Sequence, residues 1–343
     1  MNTRKTSFVA ENRISKELFL TRLQYPLEVK VEMAKNRIRS YLDTYGTEGV
    51  YISYSGGKDS DVLLHLCRSV CKNLTALFID TPMEFPQVRE HVKTIDNVIR
   101  IRPKKHIKEI IKEHGFCFPS KETATLISDF RKGLPYAQKK INGLDKDGNP
   151  SEYRQQFRKW KPLALSEHIV SNGCCIEMKE GPAKAFEQET GRKVIVGTRA
   201  EESGRRRNAY LKTGCISYGD RPCLKPLSFF TEQDILQYIK QNNIVVAPPY
   251  GELVDVEVDK QEFQQISLFD EKKDEKPKLK FTGEQRLGCM FCPVGCHLDY
   301  KDGKFQKFER LKKFNPKLHD YCMEELGLGE FLDFVEREFC NPK

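Results

Sequence analysis

The stretch from Val50 to Ser60 constrains this chain more than any other. Val50–Tyr54 is a short β-rich run, it feeds straight into Ser55, Gly56, Gly57, Lys58, Asp59 and Ser60, and an apolar, helix-period segment follows from Asp61 to Cys71. A strand, a tight Gly-Gly turn and a helix start make an anion trap. Small residues let backbone N–H groups approach an oxyanion, and the helix N-terminus adds positive potential. Lys58 supplies a point charge, and Ser55 and Ser60 supply hydroxyls. The spacing is neither GxxxxGK[ST] nor GxGxxG, so the two commonest phosphate loops are set aside.

The elements around this loop repeat its pattern. Leu74–Ile79 reads as a buried strand ending at Asp80, which places that carboxylate at the carboxyl end of a parallel strand. Pro86 opens a helix through Lys93, Val98–Ile101 is a third strand, and Lys104–His114 a further helix. This alternation predicts an α/β fold, a parallel twisted sheet flanked by helices. Lys193–Gly197 is another buried strand, and it runs into Thr198, Arg199, Glu202, Ser203 and the triplet Arg205, Arg206, Arg207. A strand ending in Gly197-x-Arg199 suits phosphate contacts. Thr231 to Asp234 carries a capping box for a helix over Ile235–Ile239.

Outside that core the chain reads as additions. Residues 1–48 are a helical lead-in, with Val29, Val31, Met33, Ile38 and Leu42 as the apolar members of its second helix. Residues 49–300 form the main domain, interrupted by insertions at about 115–170 and 254–282, and 301–343 form a helical tail expected to close over the cysteines described next. In the first insertion Gly133–Tyr136 and Asp145–Pro150 are turn chemistry. Arg154, Arg158, Lys159 and Lys161 surround Trp160, the only tryptophan. A surface for a polyanion and an aromatic cluster packed on the sheet are both open there, and the packed reading is the expectation. The segment 254–282 is charged and low in complexity, a surface loop.

Twelve cysteines and no apolar signal-peptide core after Met1 point to a reducing, cytoplasmic setting rather than a disulfide framework. No run approaches the roughly 18 apolar residues of a membrane span. Cys174 and Cys175 are adjacent, and Cys289 and Cys292 form a CxxC unit after Gly288. These four thiols can surround a metal or an iron–sulfur cluster. Zinc, a redox CxxC and inert buried thiols stay open. Cys215, Cys223 and Cys296 are spare thiols, and His297 beside Cys296 suits a reactive role.

Together these motifs resemble the phosphoadenosine phosphosulfate (PAPS) reductase family of the PP-loop, adenine nucleotide alpha-hydrolase-like superfamily. The matching residues are Ser55–Ser60, Asp80 and Thr81 with Glu84, Gly197 to Arg199 with Glu202, and Lys225 to Thr231 with Asp234. Cys174, Cys175 and Lys179, with Cys289 and Cys292, resemble the cluster-binding pattern of the adenylylsulfate-reducing branch. The resemblance implies an adenine nucleotide, ATP or an adenylylsulfate, held by Ser55, Gly56, Gly57, Lys58, Asp59, Ser60, Asp80, Gly197 and Arg199. It also implies a [4Fe–4S] cluster on the four cysteines. Lys58, Asp59 and Cys296 are the expected catalytic residues, with Mg2+ arriving with ATP. The assimilatory reductases end in a Glu-Cys-Gly-x-His segment, and Glu338, Phe339, Cys340, Asn341 departs from it. This favours the phage and DNA-phosphorothioation-like branch.

The expected function is therefore ATP-dependent activation, releasing AMP and pyrophosphate, coupled to sulfur transfer. The net charge of +9 fits a nucleic-acid acceptor. A sulfur donor such as a cysteine desulfurase and a homo-oligomer are the further partners expected, with no membrane. Two alternatives stand beside this: an adenylylsulfate or phosphoadenylylsulfate reductase releasing sulfite, and a non-catalytic nucleotide-binding module of a complex.

Overall fold

In the computed structural model, which describes residues 13–256 and 278–340, the alternation of strands and helices builds one six-stranded sheet. Its strands are β1 (Val50–Tyr54), β2 (Ala76–Ile79), β3 (Val98–Ile101), β4 (Lys193–Val196), β5 (Ile216–Ser217) and β6 (Cys223–Leu224), in the order β3-β2-β1-β4-β6-β5. β1 pairs in parallel with β2 and β4, β2 with β3, and β4 with β6. Only β5 departs, running antiparallel to β6. The sheet is therefore mixed rather than wholly parallel. The chain leaves β1 toward β2 on one side and reaches β4 on the other, so the carboxyl end of β1 lies at a topological switch point.

The chain divides into two compact units. The first comprises the described residues through Asp80, Phe85–Ile101 and Ala185–Leu287; the second comprises Thr81–Glu84, Arg102–Lys184 and the residues from Gly288 onward. The sheet belongs entirely to the first. Four helices of that unit concern the site: α1 (Lys16–Leu23), α2 (Leu27–Tyr45), α3 (Lys58–Val70) and α4 (Pro86–Lys93). Its core includes Ile38, Ile52, Leu63, Ile195, Phe229 and Phe230, all without solvent exposure. Among the described residues no helix is long and apolar enough to cross a membrane.

The expected apolar face of α2 is only half right. Ile38 and Leu42 are buried, but Val29 is exposed, and the inward stripe runs Leu27, Lys30, Ala34, Ile38, Tyr41. A lysine occupies an inner position because its charge is matched there. The Lys30 ammonium donates to Asp234 Oδ2 at 2.5 Å and to the Leu23 carbonyl at 2.7 Å. Asp234 also closes the capping box read from the sequence, accepting from the Thr231 N–H at 2.6 Å.

The second unit is mostly helical, and the insertion supplies much of it: Lys121–Arg131, Pro135–Ile141, Glu152–Arg158 and Lys161–Leu165. Gly133 does make a turn, with φ at +76°, but Pro135 starts a helix rather than continuing that turn. A proline at the first helical position gives up an N–H that has no intrahelical partner anyway. Trp160 is 5% exposed. Its ring packs edge-on against Phe118 and His297 and beside Phe339, so the aromatic cluster is internal to this unit and not packed on the sheet. Within the expected loop 254–282, residues 257–277 lie outside the described residues. The flanks Leu253–Val256 and Lys278–Phe281 pair as an antiparallel ladder.

Lys30→Ala is expected to destabilise the first unit by about 3–5 kcal/mol, because it leaves the Asp234 carboxylate buried without its cation. Thr231→Ala, which removes one cap, should cost about 1 kcal/mol. Urea unfolding of both variants checks the ranking.

Candidate functional site

The loop after β1 is built around one hydroxyl. Ser60 Oγ lies 3.2 Å from the Ser55 N–H nitrogen, 3.1 Å from that of Gly57 and 3.2 Å from Ser55 Oγ, and it donates to the Gly57 carbonyl at 2.7 Å. The backbone is thus wrapped into a tight nest at the N-terminus of α3. Gly56 has φ +68°, and a Cβ there would come within 2.6 Å of a Val88 methyl on α4. Its backbone conformation and its neighbour both demand glycine. Gly197, at the end of β4, has a different reason. A Cβ on it would stand 3.1 Å from the Asp59 carbonyl, so this glycine lets the β4 end approach the start of α3.

Around the nest stands a closed set of charges within the first unit. Lys58 is 1% exposed. Its ammonium donates to the Gln285 carbonyl, pairs with Glu232 at 3.1 Å and lies 5.4 Å from the centre of the Tyr250 ring. The Lys58 N–H donates to Tyr250 Oη at 2.9 Å. Arg199, also buried, donates from Nε to Asp59 at 2.5 Å and from a terminal nitrogen to Glu232. Burial pulls the Arg199 pKa down, but Asp59 and Glu232 more than offset it and leave it raised. Its N–H is held by Glu202 at 2.9 Å. Asp80 sits where expected, just past the end of β2, and its carboxylate grips Arg89 through two nitrogens at 2.6 and 3.2 Å.

The structure thus gathers Ser55, Gly56, Gly57, Lys58, Asp59, Ser60, Gly197 and Arg199 at the carboxyl ends of β1 and β4, with Asp80 at the end of β2. Glu232, Gln285 and Tyr250 complete the set and were not singled out from the sequence. Glu232 was visible only as part of a helix cap. Asp61, read merely as a helix start, is buried between the Tyr54 hydroxyl at 2.6 Å and His91 Nε2 at 3.1 Å. Burial raises its pKa, against the pull of His91.

In the second unit the cysteines converge. Cys174 and Cys175 lie on the short helical turn Gly173–Cys175, which runs into the wider turn Ile176–Glu180. Gly173 is required there, since a Cβ would fall 2.5 Å from the His114 ring. The Cys175 thiol is pushed down, chiefly by hydrogen bonds from Cys117 and then Cys174, with Lys121 and Lys179 assisting. Cys117 and Cys174 are raised in turn by the same contacts and by burial. Burial raises Cys289 to about 12 against the pull of Lys179, and it raises Cys292 against Lys307.

The segment carrying Cys117 touches both cysteine arms: Phe116 bridges Val170, and the Gly295 N–H donates to the Pro119 carbonyl at 3.0 Å. The tail does reach this group, with the Lys307 ammonium on the Cys292 carbonyl at 2.6 Å. Cys117 carried no spacing signal and was missed. Among the described residues no three Cys, His, Asp or Glu side chains stand in metal-holding geometry. Cys215 and Cys223 belong to the first unit. Burial pushes the Cys296 thiol up, the direction opposite to a reactive thiolate, and His297 packs against Phe118 and Trp160 instead of activating it.

Among solved structures, the chain is similar to a phosphoadenylyl-sulfate reductase from Candida auris in its phosphate complex, at 17% identity and a TM-score of 0.38, over 68% of this chain and 90% of that one. It is similar to the FMN adenylyltransferase of Candida glabrata bound to FMN and an ATP analog, at 15% identity and TM-score 0.36, over 68% and 66%. The NAD+ synthetase of Burkholderia pseudomallei matches at 15% and 0.34, over 68% and 79%. No curated protein gives a significant match. A family model described as the phosphoadenosine phosphosulfate reductase domain matches residues 49–295. That is more than two thirds of the chain, which therefore belongs to the phosphoadenosine phosphosulfate reductase family.

Proposed function

We propose that the chain activates an acceptor with ATP, releasing AMP and pyrophosphate, and that sulfur then displaces the AMP. The observation that carries this reading is the nest at Ser55–Ser60 at the start of α3, with Lys58 and Arg199 held beside it. A helix N-terminus and two fixed cations suit a polyphosphate leaving group.

In the first step an acceptor oxygen attacks the α-phosphorus, the bond between the α- and β-phosphates breaks, and pyrophosphate leaves with both electrons. Lys58 and Arg199 offset the charge that develops on it, exchanging part of their contact with Glu232 for the phosphates. Asp59, a quarter exposed on its side chain, is placed to meet the Mg2+ that arrives with ATP. In the second step hydrosulfide-level sulfur bonds to the acceptor and AMP leaves with the original oxygen, so no external oxidant or reductant is consumed. The acceptor proposed is a nucleic acid.

The thiols of the second unit fit a thiolate-bound group by donor type: Cys174, Cys175, Cys289 and Cys292 would hold an iron–sulfur cluster, with Cys117 at their side. When bound, such a cluster supplies a place for inorganic sulfide. The protein's own contribution is to polarise the thiols, through Lys179 and Lys121 near Cys175 and Lys307 near Cys292. Cys296 is given no step here, since burial pushes its thiol up.

Incubation with ATP should yield AMP and pyrophosphate in equal amounts, and Ser60→Ala should slow this by about 100-fold, because it removes the hydroxyl that holds the nest in shape and a misplacement of about 1 Å costs that much. Sulfite release from a sulfated adenylate, without pyrophosphate from ATP, would select the reductase reading instead. Lys58→Ala should lower the urea midpoint as well as turnover, since its ammonium also holds Glu232 and the Gln285 carbonyl. Protein purified anaerobically should contain iron and acid-labile sulfide, both lost in Cys289→Ser and Cys175→Ser. Stoichiometric zinc in a colourless preparation would replace the cluster with a structural metal.

A further inference from the structure

We infer that residues 131–161 form a docking face for single-stranded nucleic acid, contacted through its phosphates by lysine and arginine and through its bases by Tyr153. This deepens the acceptor side of the reading above and rests on it for its role in the reaction. The first observation is charge. The stretch has nine Lys and Arg against three Asp and Glu, a net +6 within the chain's +9. Such a run usually marks a solvated or disordered tail. Here it is folded into the helices Pro135–Ile141 and Glu152–Arg158, with Ala137, Ile141 and Phe157 buried.

The second observation is how these cations are held. Among the described residues only Lys140, with Glu122 at 3.1 Å, and Lys146, with Asp147 at 4.0 Å, have a carboxylate partner. The others that are anchored use neutral acceptors. Arg131 donates to the Leu163, Ala164 and Ser166 carbonyls at 2.9–3.1 Å, Arg154 to the Leu144 carbonyl at 2.6 Å, Lys139 to the Lys146 carbonyl at 2.6 Å and Lys161 to Asn142 Oδ1 at 2.7 Å. A carbonyl positions a cation and leaves its full charge in place. Lys132, Arg158 and Lys159 are exposed beside them. The result is a preorganised positive surface, the electrostatic requirement for a phosphate backbone.

The third observation separates a nucleic acid from any other polyanion. Tyr153 is 73% exposed on the helix Glu152–Arg158, one residue before Arg154 and with its ring 6.5 Å from that of Phe157. A large aromatic ring presented to solvent on a segment of net positive charge is a feature on which unpaired bases stack. A duplex offers its bases only at groove edges, whereas a single strand offers their faces.

The test is fluorescence anisotropy of the full chain with a labelled single-stranded DNA oligonucleotide, over a series of salt concentrations and without ATP. The triple variant Lys132→Ala, Arg158→Ala, Lys159→Ala should bind at least tenfold more weakly, with the slope of log affinity against log salt reduced by about two, at roughly 0.7 per lost contact. Tyr153→Ala should weaken binding about tenfold, Tyr153→Phe should not, and neither should change binding to an abasic strand. Circular dichroism melts confirm that the variants fold. Wild-type affinity in the triple variant, or equal competition by polyglutamate, would overturn the assignment. Because ATP is absent, a chain that binds the strand but releases no pyrophosphate refutes the reaction alone, and the reverse result refutes the surface alone.

Discussion

Two carboxylates on the first turn of the helix Glu232–Asn242 hold the architecture of the first unit together. Glu232 binds Lys58 from α3 and Arg199 from the end of β4, and Asp234 binds Lys30 from α2. Three cations from distant parts of the chain are thereby taken out of water, each against a carboxylate. The positive end of the helix dipole stabilises both acids at that position. Removing one partner of such a set is far more costly than the set is stabilising, because the remaining charge stays desolvated. The helix is therefore less a packing element than a fixed counter-ion, and it sets where the loop's lysine and the arginine of β4 stand.

That arrangement explains how one short loop can be both rigid and receptive. Ser60 Oγ satisfies the N–H groups of Ser55 and Gly57, so the nest is folded without a ligand. Lys58 and Arg199 share Glu232, and Arg199 is held by Asp59 and Glu201 as well, so both cations stand in fixed orientations beside the nest. The cysteine group follows the same logic in its own unit. Cys175 is pushed down by the two neighbouring thiols and the flanking lysines, while burial pushes Cys289 and Cys292 up.

What was legible in the sequence was local. Val50–Tyr54, Pro86–Lys93 and Val98–Ile101 have the bounds that alternation, proline and turn residues predict, because those signals act within a few residues. The Thr231 cap was visible for the same reason. What the sequence hid was pairing over long separations. Nothing near Lys30 announces Asp234, and nothing near Lys58 announces Glu232, so Lys30 was passed over and Val29 was taken for core. Cys117 was hidden by the same distance, lying far in sequence from Cys175. Gly197 was legible as important, but its reason, the 3.1 Å approach to the Asp59 carbonyl, belongs to tertiary structure alone.

The two units use the same residue types to opposite electrostatic ends. In the first, Lys30, Lys58 and Arg199 meet carboxylates, their charges cancel, and what remains is geometry. In the second, Arg131, Lys139, Arg154 and Lys161 meet carbonyls and an amide, and what remains is geometry plus charge. A neutral acceptor orients a cation nearly as well as an acid does, at the cost of leaving the local field unbalanced. An unbalanced field of six charges works against folding through self-repulsion and is tolerable only near water, and these side chains are exposed or half-buried. Cations paired with acids are positioned with their field largely spent, whereas cations fixed by uncharged partners are positioned with their field intact.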